Sequence, residues 1–112
     1  MTRPIFSLAQ ARALLPEVKM LTADAVMRAD AITAELQQIS EADPAHVQLT
    51  ETLREIVDSW ATAVRGLGLE AKGLWLVDFD NGEGYYCWRY PEAVIGHYHG
   101  YDDGFAGRIP IQ

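Results

Sequence analysis

Apolar residues recur at spacings of three and four along the first part of the chain, which predicts an amphipathic helix. The helix opens at residues 7–10 with a capping box, in which the Ser7 hydroxyl and the Gln10 side chain satisfy backbone amides. Pro16 removes an amide donor and crowds the preceding turn, so we expect a kink there. The apolar stripe beyond Pro16 consists of Val18, Leu21, Ala25, Ala29, Ile32, Leu36 and Ile39.

A second helix follows after a short link. Asp43 is the expected N-cap and Pro44 the first helical residue. Gly66 and Gly68 mark the end, because glycine adopts the left-handed conformation of a helix C-cap at the least cost. The short link predicts that the two helices pack antiparallel, as a helical hairpin over residues 7–68. The second apolar stripe consists of Leu49, Leu53, Ile56, Trp60, Ala63 and Leu67.

From residue 73 the period changes from 3.6 to 2, which predicts β-strands over residues 74–79 and 85–90. Asn-Gly at residues 81–82 favours a two-residue type I′ hairpin turn. That turn pairs Trp75 with Trp88 and Val77 with Tyr86, and it places these four side chains on one face. This aromatic face must be buried, and we expect the helices to cover it. A one-residue slip would scatter the aromatic side chains over both faces, which favours this register.

A third strand is predicted over residues 94–99, after a turn at residues 91–93. If Val94 pairs with Tyr90, His97 lies beside Cys87 and His99 lies beside Tyr85, on the face away from the helices. A register that differs by one residue would turn both histidines inward. The sequence therefore predicts one α+β domain over residues 1–112. In it a long antiparallel helical hairpin, with its first helix kinked, packs on a small antiparallel sheet formed by residues 73–112.

Charge narrows the range of partners. The chain of 112 residues has a formal net charge of −7, and both its helical and its strand regions are acidic. No basic face is left to neutralise phosphates, so we expect neither nucleic acid nor an anionic membrane as a partner. No apolar run approaches the roughly 20 residues that span a bilayer, and no signal peptide is expected. The single cysteine, Cys87, fits a reducing cytoplasm, which is the expected location.

Two histidines separated by one residue carry the most specific chemistry in the sequence. His97 and His99 share one face of a strand, a spacing that suits chelation of one metal ion. Carboxylate or thiol ligands nearby would complete a zinc, iron or manganese site. The alternative is that both are polar side chains on an exposed or subunit-facing sheet surface. The candidate additional ligands are Asp78, Glu92, Asp102 and Cys87.

Cys87 and Arg108 each allow two interpretations. Cys87 beside a histidine would make a thiolate nucleophile, but in mid-strand among aromatic residues it is equally a small packing residue. Arg108 would bind a small carboxylate or phosphate through its two parallel donors. Alternatively, it forms an ion pair with Asp78, Glu92 or Asp102.

A series of short motifs runs through nearly the whole chain. It begins with a Phe-Ser-Leu opening and a Leu-Leu-Pro sequence, and it continues with a Val-Asp-Phe strand and a Cys-Trp pair. With these motifs the chain resembles DUF2203, a small bacterial family of unknown function. The residues that carry the resemblance are Phe6-Ser7-Leu8, Ala11, Leu14-Leu15-Pro16, Gly73, Val77-Asp78-Phe79, Cys87-Trp88, Glu92, His99, Gly104-Phe105, Arg108 and Pro110.

The resemblance implies a fold and a polar cluster and implies no reaction. The chain departs from the family pattern with Pro91 in place of glycine and Tyr98 in place of tryptophan. Position 97 usually holds a residue other than histidine. The resemblance therefore shifts weight from the paired histidines to His99, together with the group Glu92, Asp102 and Arg108.

We expect a cytoplasmic binding or assembly module, not an enzyme, that self-associates as a homodimer. Two helices cover one face of the sheet and leave Leu74, Leu76 and Cys87 on the other, where a second copy would cover them. The alternative is a metal-binding protein or metal-dependent enzyme with a site at His99, Glu92 and Asp102. A further alternative is small-anion binding at Arg108. Whatever its purpose, we expect one polar cluster in which four residues converge: Glu92, His99, Asp102 and Arg108.

Overall fold

Two helices form the N-terminal half of the computed structural model, which describes residues 3–112. Helix α1 spans Leu8–Leu36 and helix α2 spans Pro44–Gly66. The predicted capping box is present, because the Ser7 hydroxyl accepts from the Gln10 N–H and the Gln10 side chain accepts from the Ser7 N–H. α1 runs through Pro16 without a break, so the residues before the proline continue the same helix, and it ends at Leu36, earlier than predicted.

Both ends of α2 follow the sequence prediction. Asp43 caps the N-terminus, where its carboxylate accepts from the Ala45 N–H at 2.8 Å. At the C-terminus Gly68 has φ +86°. The N–H groups of Gly68 and Leu69 donate to carbonyls of the last helical turn, at Arg65 and Val64. This is the Schellman arrangement that a left-handed glycine permits.

In the described residues, five antiparallel strands form the sheet, and each pairs with its neighbour in sequence. Two of them, β1 and β5, were not predicted, so the sheet begins at Glu70 and not at residue 73. Pro110 lies in the edge strand β5, where its missing N–H leaves no central ladder position unpaired. The strands are β1 Glu70–Gly73, β2 Leu76–Asp80, β3 Gly84–Arg89, β4 His97–Gly100 and β5 Ile109–Pro110.

The observed register of the β2–β3 hairpin differs from the predicted register by two residues. Val77 pairs with Trp88, and Phe79 pairs with Tyr86. The turn is centred on Gly82-Glu83 and not on Asn81-Gly82, and Gly82 has φ +91° at the first central position. A positive φ there alone is what a type II′ turn requires. Because side chains alternate with a period of two, the shift leaves the residues of β2 and β3 on their predicted faces.

The predicted pairing of Trp75 with Trp88 is wrong, because Leu74 and Trp75 form the turn between β1 and β2. Gly73 pairs with Leu76 across this turn. Trp75 has φ +65°, which side chains other than glycine rarely adopt. Its indole packs edge-on against Trp60 of α2, with ring centroids 5.0 Å apart. Packing against a distant helix therefore holds a turn for which the local sequence gives no signal.

The β3–β4 register is confirmed. Cys87 pairs with His97, and Tyr85 pairs with His99. The strand itself is shorter than predicted and begins at His97, whereas Val94 is exposed in the preceding loop. Both histidines therefore lie on the face away from the helices.

The core lies between the helices and the aromatic face of the sheet. Val77, Phe79 and Trp88 are fully buried there, as the face assignment predicted. Trp60 also donates its indole N–H to the buried Thr22 hydroxyl at 2.9 Å, which satisfies both polar groups inside the core. Neither helix of the described chain has the length and apolar character needed to cross a membrane. The core residues from the helices, the sheet and the segments that connect them are Ala11, Leu15, Val18, Ala25, Ala29, Ile56, Trp60, Ala61, Val64, Leu69, Val77, Phe79, Trp88 and Ile95.

The positive φ of Trp75 predicts that glycine at this position is more stable than alanine, the reverse of the usual order. Both Trp75→Gly and Trp75→Ala lose the contact with Trp60, but only alanine retains the cost of the left-handed conformation. We expect the glycine variant to be more stable than the alanine variant by about 1 kcal/mol, measured by urea unfolding. At Leu74, which has no positive φ, the order should reverse. An alanine variant at position 75 as stable as the glycine variant would contradict this account.

Candidate functional site

The sheet face away from the helices carries two rows of polar side chains. Register places Asp78, Cys87 and His97 side by side in one row. Asp80, Tyr85 and His99 form the adjacent row. These residues come from three successive strands, and their common face follows from the alternation of side chains along each strand. Sequence and register together thus bring the predicted His99 close to Asp78 and Cys87.

Residues 101–108, here called the C-terminal segment, pack over this face. The Tyr101 ring packs edge-on against Tyr85, with centroids 5.1 Å apart. The Tyr101 hydroxyl donates to Asp80 at 2.7 Å. Farther along the segment, the guanidinium of Arg108 lies 4.3 Å from the Phe105 ring centroid. The segment supplies cover that the helices cannot give, since they occupy the opposite face.

Three ligand-type side chains are buried beneath this segment. Asp78, Cys87 and His99 are 1%, 0% and 3% exposed, respectively. One carboxylate oxygen, the thiol sulfur and one imidazole nitrogen all lie within 4.8 Å of one another. Oxygen, sulfur and nitrogen donors in such a group are the set that zinc and related ions use in proteins.

The His99 ring contacts an oxygen acceptor on each side. Its Nδ1 lies 2.8 Å from the Gly100 carbonyl, and its Nε2 lies 3.1 Å from Asp78 Oδ2. A carbonyl only accepts, so Nδ1 carries a proton. A neutral imidazole carries only that one proton. A hydrogen bond between Nε2 and Asp78 Oδ2 therefore needs a second proton, which His99 and Asp78 share. Burial raises the pKa of Asp78, although the charge of His99 opposes this.

Three buried polar atoms in and beside this group have no hydrogen-bond partner among the described residues. They are Asp78 Oδ1, His97 Nδ1 and Glu70 Oε2, of which Glu70 Oε2 lies 4.0 Å from the Arg3 guanidinium. A buried polar atom without a partner costs about 1–3 kcal/mol, so native proteins usually satisfy such atoms. The free Asp78 oxygen therefore marks the position as one suited to a ligand.

Cys87 is poorly suited to act as a nucleophile in this state. Burial, with the charge of Asp78 adding to it, raises the pKa of the Cys87 thiol to about 12, although Arg108 opposes the shift. A catalytic thiolate needs the opposite shift. A bound metal ion deprotonates a coordinating thiol directly, so the same environment is compatible with a ligand role.

Arg108 and Glu92 form a separate pair. The two guanidinium nitrogens of Arg108 lie 3.1 and 2.6 Å from the two carboxylate oxygens of Glu92. Glu92 also accepts from the Arg89 N–H at 2.8 Å. Burial opposes ionisation of Glu92, but these hydrogen bonds outweigh it and lower the pKa of the carboxyl. An anion at Arg108 would have to displace Glu92.

The expected single cluster is therefore rearranged. Arg108 pairs with Glu92 and also faces the Cys87 thiol, whereas His99 pairs with Asp78. Asp102 is exposed and forms no ion pair or side-chain hydrogen bond within residues 3–112, so neither Glu92 nor Asp102 joins the group at His99. His97 faces the same side but lies outside that group of three.

A small cavity lies between the sheet and the C-terminal segment. It has a volume of about 240 Å³, and both Asp78 and His99 line it. Lys72, from the unpredicted strand β1, also lines it. The alternation of Glu70 and Lys72 in the sequence Glu-Ala-Lys-Gly was the available signal for that strand, but glycines obscured it. The remaining lining includes Leu76, Tyr85, Tyr101 and Phe105.

The Glu92–Arg108 pair leads to a pH prediction. The folded-state pKa of Glu92 is lowered, so its contribution to stability is present above the ordinary value of 4.5 and is lost as pH falls through the folded value. Glu92→Gln removes the titrating group. We expect the difference in unfolding free energy between the native protein and this variant to shrink between neutral and acidic pH. A difference that stays constant in urea titrations at both pH values would contradict the assignment.

One protein-family model matches nearly the whole chain. The model of a family described as "Uncharacterized conserved protein (DUF2203)" matches residues 4–111, which include both helices and all five strands. No match was found among curated proteins or among solved structures. The resemblance carried by the opening motif, the Val-Asp-Phe strand and the tail is thus confirmed, and the chain belongs to the DUF2203 family.

Proposed function

We propose that this protein binds a divalent transition-metal ion through Asp78, Cys87 and His99. The observation that carries the proposal is the free Asp78 Oδ1 within a buried group of three ligand-type side chains. Structural accounts that need no ligand explain why His99 and Asp78 pair. They do not explain why Asp78 Oδ1 is buried without a hydrogen-bond partner within residues 3–112.

The donor set favours zinc over magnesium or calcium. A thiolate and an imidazole are ligands that zinc prefers, whereas magnesium and calcium take oxygen donors. Ligand atoms at zinc–ligand distances of 2.0–2.3 Å lie roughly 3.5 Å apart around a tetrahedral ion. The atoms of Asp78, Cys87 and His99 already lie within 4.8 Å of one another, so side-chain rotations of modest size are enough.

The surroundings of His99 orient it for this role. The Gly100 carbonyl accepts from Nδ1–H and leaves Nε2 directed at Asp78. A metal-binding histidine commonly donates a hydrogen bond from its other ring N–H to a carbonyl or carboxylate. This hydrogen bond sets the tautomer and the ring orientation. The ion would take the place of the proton that Nε2 and Asp78 share.

Cobalt titration tests the proposal. We expect protein purified without a histidine tag and treated with a chelator to bind about one Co²⁺ with a thiolate charge-transfer band, because cobalt reports tetrahedral sulfur and nitrogen ligation. His99→Ala and Cys87→Ser should abolish the band. His46→Ala, in the first turn of α2 and outside this group, is the matched control and should leave it unchanged.

Two results would contradict this ligand set. One is a folded Cys87→Ser protein, checked by circular dichroism, that binds cobalt as tightly as the native chain. The other is loss of cobalt binding in Glu92→Gln and Asp102→Asn but not in Asp78→Asn, which would restore the ligands predicted from sequence. Absence of binding in the native protein would defeat the proposal altogether.

We propose, as a second function, that two copies associate through α1. The apolar sheet face expected to form the interface is largely covered by the C-terminal segment, and Cys87 is buried there. Instead, Met20 and Met27 of α1 are 68% and 67% exposed. They belong to an exposed stripe at spacings of three and four, which consists of Ala13, Pro16, Met20, Ala23, Met27, Ala31 and Ala34.

The stripe suits a second copy of the chain in an antiparallel arrangement. When Met20 of one copy faces Met27 of the other, Ala13 faces Ala34 by the same symmetry. On a helix of 3.6 residues per turn, this arrangement brings Lys19 near Asp30 of the second copy. Opposite charges then flank a narrow apolar seam, as in antiparallel helix pairs.

Sedimentation at micromolar concentration tests self-association. We expect a dimer for the native chain and a monomer for Met27→Lys, because a charge at the centre of an apolar seam is left without solvent or a partner. Val47→Lys introduces the same charge at an exposed valine of α2, outside the stripe, and should leave the dimer intact. A native chain that sediments as a monomer would overturn the proposal.

A further inference from the structure

The cavity beside Asp78 and His99 provides room for a second ligand next to the proposed metal ion. Its volume of about 240 Å³ corresponds to roughly eight water molecules. Drug-sized ligands and nucleotides need pockets of roughly 300–1,000 Å³. The cavity therefore suits a molecule of only a few heavy atoms.

Coordination directs such a molecule toward the ion. Three protein ligands leave one position of a tetrahedral zinc open, as in catalytic sites. Asp78 and His99 line the cavity, whereas Cys87 does not. An ion held between the three would therefore have Cys87 behind it and its open position toward the cavity.

Hydrogen-bond donors select the class of molecule. A divalent ion is balanced by the Asp78 carboxylate and the Cys87 thiolate, so the coordinated site is neutral and does not repel an anion. Among the residues that line the cavity, Lys72 carries the positive charge. Its ammonium lies 4.9 Å from the Tyr85 ring centroid and 3.2 Å from the Glu70 carboxylate, so it is held at the cavity wall. An ammonium has three donors, and the pair with Glu70 uses one, so Lys72 can also donate to an anionic oxygen in the cavity.

The walls select its shape. Three aromatic residues, Tyr85, Tyr101 and Phe105, line the cavity. A carboxylate has one oxygen for the ion and one for Lys72, and these rings accept an apolar body. We propose, on the basis of the metal site above, that the cavity binds a small organic monocarboxylate between the ion and Lys72.

Acetate titration of the cobalt-loaded protein tests this inference. We expect acetate to shift the visible cobalt bands saturably. Lys72→Met, fully loaded with cobalt, should bind acetate roughly tenfold more weakly, the effect of losing one charge-assisted hydrogen bond. Lys19→Met, at the other lysine of the chain and outside the cavity, is the matched control and should bind acetate normally.

The outcomes separate the two proposals. A cobalt-loaded protein whose bands do not respond to acetate overturns the carboxylate inference and leaves the metal site intact. Equal acetate affinity in Lys72→Met and the native chain also overturns it, as does tighter binding of inorganic phosphate than of acetate. A native protein that binds no cobalt overturns both proposals.

Discussion

Two strand registers determine where every polar group of the second sheet face lies. Pairing of β2 with β3 aligns Asp78 with Cys87, and pairing of β3 with β4 brings His99 within reach of Asp78. A slip of one residue would move the carboxylate or the imidazole to the helix-facing side, where Phe79 and Trp88 are fully buried. The apolar core therefore holds the polar site in place, because the core tolerates no other alternation.

The second constraint is that a sheet with helices on only one face needs other cover for its opposite face. The C-terminal segment supplies it and is anchored at both ends. Near its start, Asp80 accepts from the Tyr101 hydroxyl and pairs with Arg3 at 3.0 Å, so one carboxylate joins both ends of the chain to β2. At its end, Arg108 is held by Glu92. These anchors make it possible to bury ionisable groups outside the apolar core.

The two polar groups under this segment differ in how completely they are satisfied. Both oxygens of Glu92 accept hydrogen bonds from Arg108, as in a structural ion pair. Asp78, more deeply buried, has one oxygen on His99 and one without a hydrogen-bond partner in the described part of the chain. Cys87 beside it is held as a thiol. Buried carboxylates usually have all their hydrogen bonds, as Glu92 does, so we propose a structural role for Glu92. The unfilled hydrogen-bonding position at Asp78, beside a thiol and an imidazole, is the reason to propose a binding role for Asp78.

The sequence by itself determined the features that depend on neighbours along the chain. These are the two capped helices, the alternating strands, the aromatic face and the β3–β4 register that places His99. Only the tertiary structure decided the turn at Trp75, because a positive φ there is held by Trp60 from another element. It also decided the two-residue shift of β2 against β3 and the presence of β1. The division of the polar residues was decided in the same way, since His99 reaches Asp78 and Arg108 reaches Glu92 through contacts between segments distant in sequence.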